Sequence, residues 1–266
     1  MFLTNNHPDY RAQLDPVDAE TLGIAAAREV ERFLGHRDNH AETPLHSVPG
    51  LAAELGLASL HIKDEGQRLG LGSFKALGGS YAVIRLVLEE ASRRLGRTVD
   101  VGELHDAAVK AIAATMTFAC ATDGNHGRSV AQGAALVGAR SVIFVHGGVS
   151  DRRVAAIARF GAEMVRVEGT YDDSVIEAAR VANEKGWTIV SDTSWPGYER
   201  IPLLVMQGYT AIVHEALRQL ADPPTHVFVQ AGVGGVAAAI AGYLALALGD
   251  NRPRFVVVEP ARAACL

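Results

Sequence analysis

The chain has 266 residues, of which 48% are hydrophobic and 21% charged, a composition typical of a folded globular protein and not of a disordered one. Its 30 acidic and 25 basic residues give a net charge of −5, which argues against nucleic acid as a partner, because phosphate binding requires clustered lysine and arginine. The first residues lack the basic and apolar regions of a signal peptide, and no apolar run is long enough to span a bilayer. Two cysteines, Cys120 and Cys265, do not make a disulfide framework. We therefore expect a cytoplasmic protein of roughly two domains that does not bind membranes.

Apolar β-branched runs alternate with helical spacing along the chain, and glycines lie at the junctions. The pattern predicts strands at residues 115–119, 141–145, 164–167, 188–190, 227–230 and 255–259. It predicts helices at residues 77–88, 126–137, 154–160, 175–185, 201–220 and 236–248. Strands at this spacing are typical of βαβ units, so we predict an α/β fold of mostly parallel sheets with helices on both faces. The charged, alanine-rich residues 88–109 are interpreted as exposed helices.

Lys75 lies at the start of a predicted helix, directly after a glycine-containing turn and beside the apolar Phe74. The positive end of the helix dipole and partial desolvation both favour a neutral amine at this position. Schiff-base chemistry requires a neutral amine, so Lys75 is a candidate for that chemistry. The alternative is an exposed lysine in the first turn of the helix.

Residues 121–127, with the sequence ATDGNHG, join a predicted strand to a predicted helix. Such a turn at the carboxyl end of a parallel strand is where α/β proteins bind ligands. Asn125 can both donate and accept hydrogen bonds, and Asp123 is a potential proton acceptor in the same turn. The alternative is helix capping by Asn125 or Asp123.

A second glycine-rich turn, made of Gly232, Val233, Gly234 and Gly235, also lies between a strand and a helix. Consecutive N–H groups that open a helix form an anion cradle suited to phosphate. The turn lacks the spacing of the dinucleotide fingerprint and the lysine of a P-loop, and its alternative is tight packing of the helix on the sheet. The ten histidines form no HExxH motif and have no cysteine partner at zinc spacing, so no metal site is predicted.

A lysine at a helix start, the Asn125 turn and the glycine turn, in this order, resemble the fold-type II pyridoxal-phosphate enzymes, the tryptophan synthase β-like family. The resemblance implies two domains, each with a mostly parallel twisted sheet flanked by helices: residues 1–78 and 191–266 form the large domain, and residues 79–190 the small one. It implies pyridoxal 5′-phosphate as the cofactor. Its binding residues would be Lys75 through a Schiff base, Phe74 and Asn125 at the ring, and Gly232, Val233, Gly234 and Gly235 at the phosphate.

Within that family, the chain resembles the diaminopropionate ammonia-lyases from about residue 43 to the end. The strings that carry this resemblance are KDE at 63–65, FKALGGSYA at 74–82, ATDGNHGR at 121–128, DTSWPGY at 192–198, MQGY at 206–209 and VEP at 258–260. Asp123 stands where threonine dehydratases and related members have a small residue. The resemblance is therefore to the diaminopropionate ammonia-lyases in particular and not only to the fold-type II enzymes in general.

The resemblance implies a cytoplasmic, homodimeric carbon–nitrogen lyase of amino-acid catabolism. It would convert D- or L-2,3-diaminopropionate to pyruvate and two ammonia by α,β-elimination through an aminoacrylate. Lys75 would act on one face of the cofactor, and Asp123 would deprotonate the other enantiomer from the opposite face. Asp192 would orient or protonate the distal amine.

Two alternatives remain open at this point. One is a serine or threonine dehydratase-like β-eliminase that uses the same Lys75. The other is a non-catalytic, truncated fragment that binds the cofactor, because members of the family run well beyond residues 258–260. Their later part supplies the group at the pyridine nitrogen and completes the large domain, so we expect that part to be missing from this chain.

Overall fold

The computed structural model describes residues 3–265 and consists of helices and short strands that alternate along the chain. The helices are α1 (Pro16–Leu22), α2 (Ile24–Gly35), α3 (Pro49–Glu54), α4 (Lys75–Leu95), α5 (Ala107–Ala113), α6 (Asn125–Val137), α7 (Asp151–Ala158), α8 (Tyr171–Lys185), α9 (Arg200–Gln219) and α10 (Gly235–Leu248). The strands are β1 (Leu45–Ser47), β2 (His61–Lys63), β3 (Thr117–Ala121), β4 (Arg140–His146), β5 (Glu163–Val167), β6 (Thr188–Ile189), β7 (His226–Gln230) and β8 (Arg254–Val258).

The largest sheet is parallel and has the strand order β5-β4-β3-β6. Five consecutive side chains of β4 are buried, as expected for a parallel strand covered on both faces. From β3 the chain passes through α6 to β4 on one side, whereas β6 lies on the other side of β3. The carboxyl ends of strands at such a reversal are where open α/β sheets bind ligands. The turn after β3 and the segment after β6 therefore meet at the expected position for a site.

Helices α4 and α9 cross closely because each carries a glycine where the other approaches. A Cβ atom on Gly78 would lie 2.6 Å from the ring of Tyr209, and one on Gly208 would lie 2.8 Å from the carbonyl oxygen of Leu77. Any larger side chain at either position would force the helices apart. The crossing brings the first turn of α4, which carries Lys75, against the middle of α9.

Two smaller sheets complete the fold. Strands β1 and β2 pair antiparallel. Strands β7 and β8, which precede and follow α10 in the sequence, pair parallel. On β7, Val229 is buried, whereas Phe228 on the opposite face is 65% exposed. Strand β7 leads directly into the glycine turn and α10.

The predicted α/β fold with parallel strands is confirmed, with some displaced boundaries. The strand predicted at 115–119 is β3, two residues later, and the helix predicted at 77–88 begins at Lys75 and continues to Leu95. The proposed domain boundary after residue 78 falls inside this helix, and the division remains a prediction.

The interpretation of residues 88–109 as exposed helices was wrong for one face, although residues 93–98 are exposed. Leu88, Ala91, Val99, Val101 and Val109 are all buried. The apolar face of α4 continues past residue 88, and the chain then turns so that α5 packs back against α4. Charged residues on the outer faces of these helices concealed the buried stripe.

Three further findings concern the expectations from composition. Between residues 3 and 265, no helix is both long and apolar enough to cross a bilayer. In the same part of the chain, no three histidine, cysteine or acidic side chains are grouped to hold a metal ion. Cys120 is buried in β3, Cys265 is exposed, and neither forms a disulfide.

Candidate active site

A small open cleft lies between the first turn of α4, the first turn of α10 and the segment after β6. It is lined by Phe74, Lys75, Asp192, Tyr209 and residues 232–236. The structure thus brings together three separate parts of the sequence: Phe74 with Lys75, Asp192, and the glycine turn. Asp123 and Asn125 do not line this cleft.

Lys75 is the first residue of α4, and its side chain is 30% exposed. The Nζ atom donates a short hydrogen bond to Oδ2 of Asp192, whose side chain is 9% exposed. Burial raises the pKa of the Asp192 carboxyl, but the charges of His126 and Lys75 outweigh it and hold that pKa below its ordinary value. The carboxylate is therefore ionised at neutral pH. The expectation of a neutral Lys75 amine was based on the helix start and on desolvation, and it did not include the Asp192 carboxylate as a partner of Lys75.

His126 lies in the first turn of α6 and is buried beside the same carboxylate. Its Nε2 atom is 2.8 Å from the carbonyl oxygen of Val190, which only accepts hydrogen bonds, so Nε2 carries a proton. Its Nδ1 atom is 3.7 Å from Oδ2 of Asp192 and has no hydrogen-bond partner among the described residues. Sequence reasoning assigned no role to His126, although it follows Asn125 directly in the same turn.

The glycine turn presents backbone N–H groups to the cleft. Gly234 has a φ of 85°, a left-handed conformation that favours glycine, and it immediately precedes α10. Within residues 3–265, no side chain caps this helix, so its first N–H groups remain available at the positive end of the dipole. A Cβ on Gly232 would meet no atom within 4 Å, and one on Gly235 would make only ordinary contacts. Tight packing therefore does not explain these glycines, whereas an anion cradle does.

Tyr209 is a cleft residue that the sequence did not single out. It is 2% exposed, and its ring meets Phe74 edge to face, with 5.3 Å between centroids. Its buried hydroxyl has no hydrogen-bond partner in the described part of the chain. Burial and the Asp192 charge raise the pKa of Tyr209 well above its ordinary value, so the hydroxyl stays protonated and can donate.

The turn after β3 is held by a residue other than those expected. Thr122 Oγ1 accepts hydrogen bonds from the N–H groups of Gly124, at 3.0 Å, and Gly127, at 3.1 Å. The residue before α6 is Gly124, which has no side chain to cap the helix, and the Thr122 hydroxyl binds an N–H of the first turn instead. The alternative that Asp123 or Asn125 serves as a helix cap was therefore wrong.

Asp123 is paired with His146 at the end of the neighbouring strand β4. The N–H of Gly148 donates to His146 Nδ1 over 3.1 Å, so His146 Nε2 carries the proton, and this atom lies 3.1 Å from Asp123 Oδ1. The Asp123 side chain is 58% exposed. Asn125 is also exposed, and its Oδ1 accepts a long hydrogen bond of 3.5 Å from Arg128.

Comparison with known proteins adds to this geometry. The family model "Pyridoxal-phosphate dependent enzyme" matches residues 36–266. The diaminopropionate ammonia-lyase of Salmonella typhimurium is 42% identical over 242 residues, which cover 90% of this chain and 60% of that protein.

Solved structures of the diaminopropionate ammonia-lyase of Escherichia coli are also similar. The holo form matches with a TM-score of 0.86 at 35% identity, over 97% of this chain and 64% of that one. The complex with D-serine matches with a TM-score of 0.84 at 35% identity, over 95% of this chain and 63% of that one. The chain thus spans less than two thirds of the length of these relatives.

Proposed function

Since the chain belongs to the pyridoxal-phosphate dependent enzyme family, we propose that it carries the active site of a diaminopropionate ammonia-lyase. The reaction converts D- or L-2,3-diaminopropionate and water to pyruvate and two ammonia. The observation that carries the proposal is the meeting of Lys75, its partner Asp192 and the uncapped glycine turn in one cleft. The 42% identity to the Salmonella typhimurium enzyme supports this reaction over others of the family.

The groups in the cleft fit the cofactor chemically. Lys75 would hold its aldehyde carbon, and the N–H groups of Gly232, Val233, Gly234 and Gly235 would hold its phosphate at the positive end of α10. Phe74 and Tyr209 supply ring surfaces. Asn125, which does not line the cleft, is proposed at the ring oxygen on the family resemblance alone. When bound, pyridoxal phosphate withdraws electrons from the substrate Cα and so makes the Cα proton removable.

We assign the proton transfers to side chains of this chain. Lys75 removes the Cα proton of one enantiomer, and Asp123 removes it from the other, on the opposite face. The electron pair left at Cα forms a bond to Cβ as the β-amino group departs with its own pair as ammonia. Water then replaces the α-amino group, which leaves as the second ammonia. Because Asp123 is paired with His146, it exchanges that partner for the substrate in this step.

Asp192 is proposed to bind the β-ammonium group. Its ionised carboxylate already binds one ammonium, that of Lys75, and the pKa below its ordinary value keeps it charged at neutral pH. His126 lies on the other side of this carboxylate, with its Nδ1 atom 3.7 Å from Oδ2. With the cofactor held by Lys75, the distal amine of a substrate would lie beside Asp192, where this structure has the lysine ammonium.

The central test measures pyruvate release from D- and L-diaminopropionate with added pyridoxal phosphate. We expect release with the wild-type chain, complete loss in Lys75→Ala, and no loss in the matched control Lys110→Ala on α5. Release from serine but not from diaminopropionate would support the dehydratase alternative. Borohydride labelling of Lys75 without pyruvate from any substrate would indicate a binding fragment instead.

Asp123→Asn tests the assignment of faces. We expect it to lower the rate on D-diaminopropionate about a hundredfold while leaving the rate on the L form within about twofold, in the range of a removed general base. Separate rate measurements on D- and L-diaminopropionate decide this. Equal loss on both enantiomers would contradict the assignment.

We also propose that the active protein is a homodimer, as the family resemblance implies. Light scattering of the purified protein at several concentrations measures its mass directly. A monomeric mass for an active preparation would contradict this proposal.

A further inference from the structure

The segment after β6 contains a tight turn with a specific geometry. Tyr198 N donates to the carbonyl oxygen of Trp195 over 2.8 Å, which closes a four-residue turn. Pro196 occupies its second position and Gly197, with a φ of 85°, its third, the arrangement of a type II turn. The rings of Trp195 and Tyr198 stack with 4.0 Å between centroids and an angle of 11°. The turn is therefore a rigid support for the Tyr198 side chain.

The hydroxyl of Tyr198 connects two backbone groups just before Asp192. It donates to the carbonyl oxygen of Ile189, the last residue of β6, over 2.8 Å, and accepts from the N–H of Ser191 over 3.0 Å. Burial raises the pKa of Tyr198 above its ordinary value, so the hydroxyl keeps the proton that the first of these bonds needs. The Tyr198 hydroxyl thus joins the backbone on both sides of Val190, two residues before Asp192.

Asp192 itself lies outside any helix or strand, so sheet hydrogen bonds do not hold its backbone. We propose that Tyr198 is a positioning residue that sets the Asp192 carboxylate against Lys75 and His126 through its two hydrogen bonds. This inference deepens the proposed function, and the importance of Tyr198 for catalysis rests on that function. The geometry of the Lys75–Asp192 pair can nevertheless be measured without turnover.

The experiment measures how fast Lys75 is methylated by formaldehyde and cyanoborohydride at neutral pH, in protein freed of pyridoxal phosphate so that the Lys75 amine is not bound to it. Peptide mass spectrometry gives the rate, normalised to the exposed Lys110 in the same molecule. An ammonium held against a carboxylate reacts slowly, so Tyr198→Phe should raise the Lys75 rate about fivefold, the change expected for one net hydrogen bond. Asp192→Asn should raise it at least as much.

The double variant Tyr198→Phe/Asp192→Asn makes the test specific. If the hydroxyl acts through Asp192, the double variant should methylate at the rate of Asp192→Asn alone, because the two changes remove the same interaction. Multiplied effects in the double variant would overturn the proposal. So would an unchanged Lys75 rate in Tyr198→Phe.

Tyr243→Phe is the matched control. It removes a buried tyrosine hydroxyl, here hydrogen-bonded to His214, from a site outside the cleft. We expect the Lys75 rate to stay at the wild-type value, and a rise equal to that in Tyr198→Phe would overturn the proposal. Should Tyr198→Phe fail to fold, Gly197→Ala strains the turn and leaves the hydroxyl in place, and a rise of about twofold is expected. An unchanged rate in that variant would count against the proposal.

A failure of the proposed function would look different. Absence of pyruvate release together with the expected methylation pattern would overturn the lyase assignment and leave the role of Tyr198 standing. Pyruvate release together with an unchanged methylation rate in Tyr198→Phe would do the reverse.

Discussion

Two regions of the molecule bury charged side chains: a group around Arg68, called here the Arg68 cluster, and the cleft that contains Lys75, called the Lys75 cleft. They differ in how many of their buried polar atoms have hydrogen-bond partners. The Arg68 cluster consists of Lys63, Glu65, Arg68 and Glu215. Arg68 Nε donates to Glu65, and its two terminal nitrogens donate to both oxygens of Glu215, at 2.7 to 2.8 Å. Lys63 Nζ also donates to Glu215 over 2.7 Å. Each charged group of this cluster therefore binds at least one group of opposite charge.

The Lys75 cleft is incomplete by comparison. His126 Nδ1 and the Tyr209 hydroxyl are buried without a hydrogen-bond partner among the described residues, and the Lys75 side chain is 30% exposed. A set of charges whose bonds are complete holds the chain in place but has no capacity for a ligand. A set with open positions beside a cleft has that capacity. The comparison separates a structural use of buried charge from a chemical one.

The largest expected effect is on the Arg68 cluster. Glu215→Gln removes the carboxylate that compensates both Arg68 and Lys63, so we expect it to lower the free energy of unfolding by about 3–5 kcal/mol. Urea denaturation followed by circular dichroism measures this. Glu90→Gln, which breaks an exposed group of ion pairs on α4, serves as the control and should leave the transition nearly unchanged.

A smaller effect on stability is expected at the cleft. In Asp192→Asn the released ammonium of Lys75 can turn toward water, so the free energy of unfolding should fall by about 1 kcal/mol or less. The same urea experiment measures it. A loss as large as that of Glu215→Gln would mean that the Asp192 carboxylate stabilises the fold as much as the Glu215 carboxylate does, which would contradict the comparison.

The smallest expected effect is in the acid range. The folded-state pKa of Asp192 lies below its ordinary value of 3.8, so its contribution to stability is present above pH 3.8 and is lost as the pH falls through the folded-state pKa. The difference in unfolding free energy between wild type and Asp192→Asn should therefore be constant near neutral pH and shrink below pH 3.8. Urea midpoints measured between neutral and acid pH test this, and a difference that grows on acidification would contradict it.

Local patterns were sufficient for much of the fold and part of the site. The position of Lys75 at a helix start and of Gly232–Gly235 between a strand and a helix depends on neighbouring residues, so the sequence predicted both. The pair between Lys75 and Asp192 joins residues 117 positions apart, and the bond between Arg68 and Glu215 joins residues 147 apart. Contacts of that range depend on how helices and sheets pack, which no local pattern reports.

Side-chain direction in turns was a second limit. The sequence placed Asp123 and Asn125 in the correct turn, but their orientation depends on Thr122, which holds the backbone, and on His146, which binds Asp123 from another strand. His126 follows Asn125 directly, and it is the residue of this turn whose side chain faces Asp192. One residue of displacement along the first turn of a helix rotates a side chain by about 100°, which no strand–turn–helix pattern resolves.

Strand β6 has a consequence for how the site moves. It contains only Thr188 and Ile189 and pairs with β3 at the edge of the sheet. Short edge strands with few backbone bonds open locally at a lower free-energy cost than central strands, and their amide hydrogens exchange faster with solvent. The segment that carries Asp192 follows this strand directly, so we expect its amide hydrogens to exchange with solvent faster than those of the central strands β3 and β4.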